Sequence, residues 1–204
     1  MYIAFDGGEG GGKTTQIRLL VNYLTGRGKK VLAIREPGQT PIGLEIRDIV
    51  LNPKYAGIMH PVAELLLFMA ARAQGVNQVV KPALEEGLTI VSDRSPYTSL
   101  PYQGGRGIAL EVIWFLINIS VGNVLPDIVF LLDLPVEVGL SRKRFQDEVM
   151  RFELENIAYH ERVRQGFLDL AKADPDRWVV LDATLSVEQI HQQVIAELAS
   201  RFAI

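Results

Sequence analysis

Residues 7–14 read Gly7-Gly8-Glu9-Gly10-Gly11-Gly12-Lys13-Thr14. A short apolar run, 2–5, precedes them. Ile17, Leu20, Val21 and Leu24 then recur at helical spacing. A strand that must turn into a helix through five glycines has few ways to fold. Glycines let successive backbone N–H groups curl toward one point without Cβ clashes. The start of the helix adds the positive end of its dipole. The concavity so formed suits an anion. The spacing G-x-x-x-x-G-K-[ST] is matched in full, between a strand and a helix, which reads as a cradle for a nucleoside triphosphate. The candidate ATP-binding residues are therefore Gly7, Gly8, Glu9, Gly10, Gly11, Gly12, Lys13, Thr14 and Thr15. Lys13 would reach the β- and γ-phosphates, and the Thr14 hydroxyl would ligate Mg²⁺.

Four more apolar runs follow, at 30–34, 88–92, 128–132 and 178–181. They are continuous rather than alternating, the pattern of strands buried on both faces. Helical periodicity covers 13–24, 41–51, 60–86 (broken or bent), 111–121, 136–145, 152–172 and 186–202. Strand and helix alternate, so the class is α/β, with a five-stranded parallel sheet flanked by helices. Right-handed crossovers bring the strand C-terminal ends to one edge, where ligands bind. We expect one domain over 1–204. The basic cluster Arg142-Lys143-Arg144, with Arg151, marks a short excursion from it over about 142–152.

Composition removes several functions. Hydrophobic residues at 48% and charged residues at 22% exclude disorder as the main state. A net charge of -3 argues against a strongly basic nucleic-acid binder, so no nucleic-acid partner is expected. With no cysteine, thiolate metal sites, disulfides and a cysteine nucleophile are excluded. The longest uncharged stretch, 112–126, falls short of the roughly 20 residues a membrane span needs. It reads as a buried or subunit-facing helix. No signal-peptide pattern opens the chain, so a cytoplasmic protein is expected. No N-K-x-D occurs, which argues against a guanine-reading GTPase.

Further segments narrow the choice among nucleotide-binding proteins. Arg35-Glu36-Pro37-Gly38 follows the second strand, and Phe68 and Arg72 lie four apart on one helix. Lys81-Pro82-Ala83-Leu84 comes next, and Asp93-Arg94 ends the third strand. Tyr102-Gln103-Gly104, Leu125-Pro126-Asp127 and Arg151-Phe152-Glu153 complete the series. In this order the chain, from Met1 to about Ala183, resembles the thymidylate kinase (dTMP kinase) family.

The resemblance implies a P-loop NTPase three-layer fold with a short lid. It implies transfer of the γ-phosphoryl group of MgATP to dTMP, giving dTDP and ADP for dTTP synthesis. Mg²⁺ is then the cofactor, ATP and dTMP are the partners, and the assembly is a homodimer with 111–121 as an interface candidate. Residue roles follow from the same resemblance. Glu9 lies near the sugar 3′-hydroxyl and the metal; Arg72 reads thymine and Phe68 packs on it. Asp93 organises Mg²⁺, giving a metal set of Thr14, Asp93 and Glu9. Arg94 holds the acceptor phosphate, with Arg35 facing it. Ser99 reaches the base, Tyr102 crowds the 2′ position, and Gln103 stands beside it. Gly10 in place of an arginine puts the catalytic arginine in the lid. Arg151 matches the lid motif best, with Arg142 and Arg144 as further candidates, so the catalytic set is Lys13, Asp93, Arg94, Arg151, Arg144 and Arg142. Arg162 and Arg164 brace the site.

Three positions depart from the family pattern: Gln39, Ser95-Pro96-Tyr97-Thr98, and Met150 before Arg151. They touch the acceptor pocket and the lid. The alternatives are a P-loop kinase for another nucleotide or a deoxynucleoside, or a non-catalytic ATP-binding regulator.

Overall fold

The computed structural model describes residues 1–143 and 150–202. Five strands, β1 (Tyr2–Asp6), β2 (Val31–Arg35), β3 (Thr89–Asp93), β4 (Ile128–Asp133) and β5 (Trp178–Asp182), form one sheet. The order is β2-β3-β1-β4-β5 and every pairing is parallel. β1 and β3 are buried along their whole length, as continuous apolar runs require. The flanking β2 and β5 expose alternate residues. The observed β2 and β3 start and end one residue later than expected. That shift sets Arg35 and Asp93 side by side in register at the ligand edge.

Alternating side chains of the sheet feed two apolar layers. Tyr2, Ala4, Ile90 and Leu131 face one. Ile3, Phe5, Val91 and Phe130 face the other, where the Phe5 and Phe130 rings stack at 5.2 Å. The first layer is covered by α3 (Pro61–Gly75), α6 (Leu110–Val121) and α8 (Ile157–Ala173). The second is covered by α1 (Lys13–Gly26) and α9 (Val187–Phe202). The remaining helices are α2 (Pro41–Leu51), α4 (Lys81–Glu85), α5 (Ser99–Gly104) and α7 (Val136–Lys143).

Expected and observed helices differ in three places. The stretch 60–86 is α3, a π turn over Val76–Val80, and α4, which accounts for its broken periodicity. The stretch expected as one helix over 152–172 splits. A 3₁₀ turn, Arg151–Leu154, comes first, and Asn156 then caps α8 by accepting from Tyr159 N at 2.9 Å. A 3₁₀ turn over Pro96–Thr98 and α5 were not expected, because neither is long enough to show a period. Arg144 and Phe145 lie outside the described residues. α6 buries Ile113, Ile117 and Val121 and exposes Phe115 and Ile119, so it is half core and half apolar surface. Among the described residues, no helix is long and apolar enough to cross a membrane.

Candidate active site

β1 stops at Asp6 and the chain reverses through residues 7–12 into α1. Gly7 adopts φ +130°, and a Cβ there would stand 2.5 Å from the Leu132 carbonyl oxygen, so no side chain fits. Gly12 precedes α1 and no side chain caps that helix, which leaves its first N–H groups for a ligand. Lys13 Nζ donates to the carbonyls of Gly7 at 3.1 Å and Gly8 at 2.7 Å. Burial and the neighbouring Arg94 push the Lys13 ammonium down to about 8. The Thr14 hydroxyl donates to Asp93 Oδ2 at 3.2 Å.

Beyond Asp93 the backbone makes an unusual turn. Arg94 has φ +74°, the left-handed region, which strains a residue with a Cβ by about 1 kcal/mol or more. Arg94 N donates to Phe5 O at 2.9 Å, and the Ser92 hydroxyl donates to Arg94 O at 2.6 Å. The turn aims the guanidinium at the phosphate loop: Nη2 donates to Glu9 Oε1 at 3.0 Å and Nη1 to Gly7 O at 3.4 Å. Tyr102 Oη donates to the same Glu9 oxygen at 2.8 Å. Burial favours a neutral Glu9. The Arg94 and Lys13 charges and the Tyr102 hydrogen bond outweigh it and hold the carboxyl at about 2. The Tyr102 hydroxyl is pushed well above its ordinary value, first by burial and then by Glu9.

Asp6, the last residue of β1, is wholly buried and accepts from the Ser95 and Thr98 hydroxyls. Burial raises its pKa. It pins to β1 the segment that departs from the family pattern.

The pocket next to this turn holds Phe68, Arg72, Ser99, Tyr102, Gln103 and Arg94 together, with Arg35 at its rim. Arg72 is buried; its Nε pairs with Glu36 Oε2 at 2.8 Å and Nη1 donates to Ser99 Oγ at 3.0 Å. Gln103 Nε2 donates to Glu64 Oε1 at 2.7 Å. Arg35 lies 3.7 Å from Asp93 and is exposed. Several lining residues were given no role from the sequence, among them Glu36, Arg47 and Phe152. Glu36 stood inside a quoted motif and could have been found there. Arg47, on α2, looked like any solvated helix charge. Instead its Nη1 donates to Pro37 O at 2.9 Å, and burial together with Arg35 and Arg94 lowers its pKa to about 10. Four arginines, Arg35, Arg47, Arg72 and Arg94, line this one pocket and make a strongly anion-seeking surface.

The lid arginines separate. Arg142 Nη1 donates to Gly10 O at 3.3 Å and Ala183 O at 3.0 Å, and Arg142 lines the groove over the phosphate loop with Lys143. Arg151 does not line that groove. It is buried, its Nε donating to Val50 O at 2.8 Å and its Nη2 pairing with Glu64 at 2.5 Å. Arg144 lies outside the described residues. Arg164 forms a two-pronged pair with Asp133 at 2.8 and 2.9 Å, and Arg162 donates to Gly105 O at 3.2 Å.

The groove over the glycine loop and the arginine-lined pocket therefore meet at Glu9 and Arg94. Residues 5–194 match the family model described as thymidylate kinase. The chain belongs to the thymidylate kinase family. It is 43% identical to the thymidylate kinase of Kosmotoga olearia, over 97% of this chain and 94% of that one. It is 47% identical to that of Geobacter sp. strain M21, over 92% and 86%. The crystal structure of thymidylate kinase from Ehrlichia chaffeensis superposes with TM-score 0.78 at 31% identity, covering 97% of this chain and 98% of that one. As a member of the thymidylate kinase family the chain is a kinase, an enzyme of phosphoryl transfer in nucleotide synthesis, and its five-stranded α/β sheet matches the Ehrlichia structure.

The residues present fit the family's Mg²⁺. Magnesium takes few protein ligands and fills its shell from phosphate oxygens and water. A hydroxyl and a carboxylate, Thr14 and Asp93, already lie 3.2 Å apart at the mouth of the phosphate loop.

Proposed function

We propose that this thymidylate kinase family member binds MgATP on residues 7–15 and dTMP in the Phe68–Arg72 pocket. The γ-phosphoryl group passes to the dTMP phosphate, giving dTDP and ADP. The observation that carries the reading is the shared carboxylate. Glu9 belongs to the ATP loop, while its partners Arg94 and Tyr102 belong to the acceptor pocket.

Each residue then has a task. Lys13 leaves the Gly7 and Gly8 carbonyls to hold the β- and γ-phosphates. Thr14, Asp93 and Glu9 serve the metal, which when bound would neutralise phosphate charge. Arg94, Arg47 and Arg35 hold the acceptor phosphate, a task that suits the guanidinium fork. Arg72, fixed by Glu36 and Ser99, presents its remaining N–H groups to the thymine edge while Phe68 covers the ring. Tyr102, fixed on Glu9, crowds the sugar 2′ position, and Gln103 closes the wall beside it. No general base is needed: the acceptor is already an anion, and catalysis comes from alignment and charge neutralisation. Arg142 supplies the arriving arginine, from a lid excursion over 142–152 on one domain. The exposed Phe115 and Ile119 of α6 suit a face shared by two copies, the homodimer of the family reading. The same reading takes the enzyme to be cytoplasmic.

The test is ADP release from MgATP with dTMP, dUMP, UMP, dCMP, AMP and thymidine as acceptors. Turnover led by dTMP is expected. Turnover led by another acceptor would show that the 95–98 segment has redirected specificity. Tight ATP binding without turnover would favour a regulator.

A further inference from the structure

Glu64 sits in the first turn of α3 and is fully buried. Both carboxylate oxygens are occupied. Oε1 accepts from Gln103 Nε2 at 2.7 Å and Arg106 Nε at 3.0 Å, and Oε2 accepts from Arg151 Nη2 at 2.5 Å. Arg106 continues to Glu155 at 2.8 Å. Arg151 continues to Val50 O, in the last turn of α2, at 2.8 Å. One carboxylate thus joins α2, α3, the end of α5 and the turn that follows the lid. Stability alone is a poor reason for such a cluster. Ion pairs taken out of water are often no better than apolar residues of the same volume, because desolvation offsets their attraction.

The cluster bears on a neighbour that does line the acceptor pocket. The Arg151 guanidinium lies over the Phe152 ring at 4.5 Å. Phe152 meets the Tyr102 ring edge-on at 5.4 Å and stands 6.1 Å from the Phe68 ring. Phe152 and Gln103 line the pocket; Glu64 and Arg151 do not. We propose that Glu64 is a positioning residue for the acceptor nucleotide. Through Arg151 it seats Phe152 as the wall beside Phe68, and through Gln103 it fixes the adjoining wall. The inference rests on the reading of this pocket as the dTMP site. It gives Arg151 a task other than contact with the transferred phosphoryl group.

The experiment compares wild type, Glu64→Gln, Arg151→Met, the double variant and Arg151→Lys. dTMP binding is read by calorimetry, KM is measured for dTMP and for ATP, and Tm is recorded. Glu64→Gln and Arg151→Met are each expected to weaken dTMP about tenfold or more while the ATP KM stays within about twofold. The double variant should be no weaker than the worse single one, since both break one contact. Arg151→Lys should recover most of the dTMP affinity. Arg151→Met leaves Glu64 paired with Arg106 and Gln103, so it carries the test if Glu64→Gln fails to fold. The proposal is overturned if folded variants bind dTMP as wild type does. Equal weakening of ATP and dTMP, or failure of both variants to fold, also overturns it, by making the cluster a general prop of the fold. A wild-type protein that binds ATP but not dTMP would instead overturn the pocket reading beneath it.

Discussion

Tyr102 Oη donates to Glu9 Oε1 at 2.8 Å, joining α5 to the phosphate loop across 93 positions of chain. Arg94 donates to the same oxygen at 3.0 Å. Glu9 is therefore held as an anion between a tyrosine and an arginine that line the Phe68–Arg72 pocket.

That setting has a pH signature in metal-free, nucleotide-free protein. The Glu9 carboxyl is held at about 2 against an ordinary 4.5. A depressed acid pKa contributes stability that is complete above 4.5 and is lost as pH falls toward 2, up to about 3 kcal/mol. Glu9→Gln should therefore be less stable to urea at about pH 6, with the gap to wild type shrinking steadily as pH falls through the carboxylate range. A gap independent of pH would show that the cations around Glu9 do not hold its charge.

Arg47 should matter for the acceptor phosphate and nothing else. It lies beside Arg35 and Arg94, which with burial lower its pKa to about 10, and an arriving dianion relieves that crowding. Arg47→Met is expected to weaken dTMP by about tenfold or more, the scale of a lost charged hydrogen bond. Thymidine, which lacks the phosphate, should bind the variant as it binds wild type. Equal loss for both ligands would place Arg47 outside the phosphate site.

Arg142, proposed above as the catalytic arginine, donates to the Gly10 carbonyl at 3.3 Å. Arg142→Ala is expected to lower single-turnover rates by about 10² or more, the scale of removing a catalytic arginine. Arg151→Ala should lower them by less than about tenfold, because its guanidinium points into Glu64. The reverse ranking would restore Arg151 to the role its motif suggested.

Gly139 tests how tightly α7 is set against the phosphate loop. A Cβ on Gly139 would stand 2.3 Å from the Glu9 carbonyl oxygen, and one on Gly10 would stand 2.1 Å from the Gly139 oxygen. Backbone meets backbone there, so neither side can yield by turning a side chain. Gly139→Ala should raise the ATP KM several-fold and cost about 1–3 kcal/mol in thermal unfolding, as overpacking does. An unchanged ATP KM would mean that α7 moves freely off the loop.

Much of this molecule was written locally. The continuous apolar runs located five strands to within a residue, although only the inner strands are buried on both faces and the flanking β2 and β5 expose alternate residues. The glycine run with Lys13 and Thr14 marked the turn from β1 into α1, because backbone freedom and a helix start are properties of adjacent residues. Order and spacing of short motifs carried the family. Residues whose meaning depends on a distant partner were not readable in that way. Asp6 has its partners, Ser95 and Thr98, 89 and 92 positions away in the chain. Arg47 looked like a surface charge until Arg35 and Arg94 surrounded it. Arg151 carried the lid motif, yet its guanidinium lies on Glu64, 87 positions away. A charged side chain takes its role from the field around it, and that field exists only once distant segments pack.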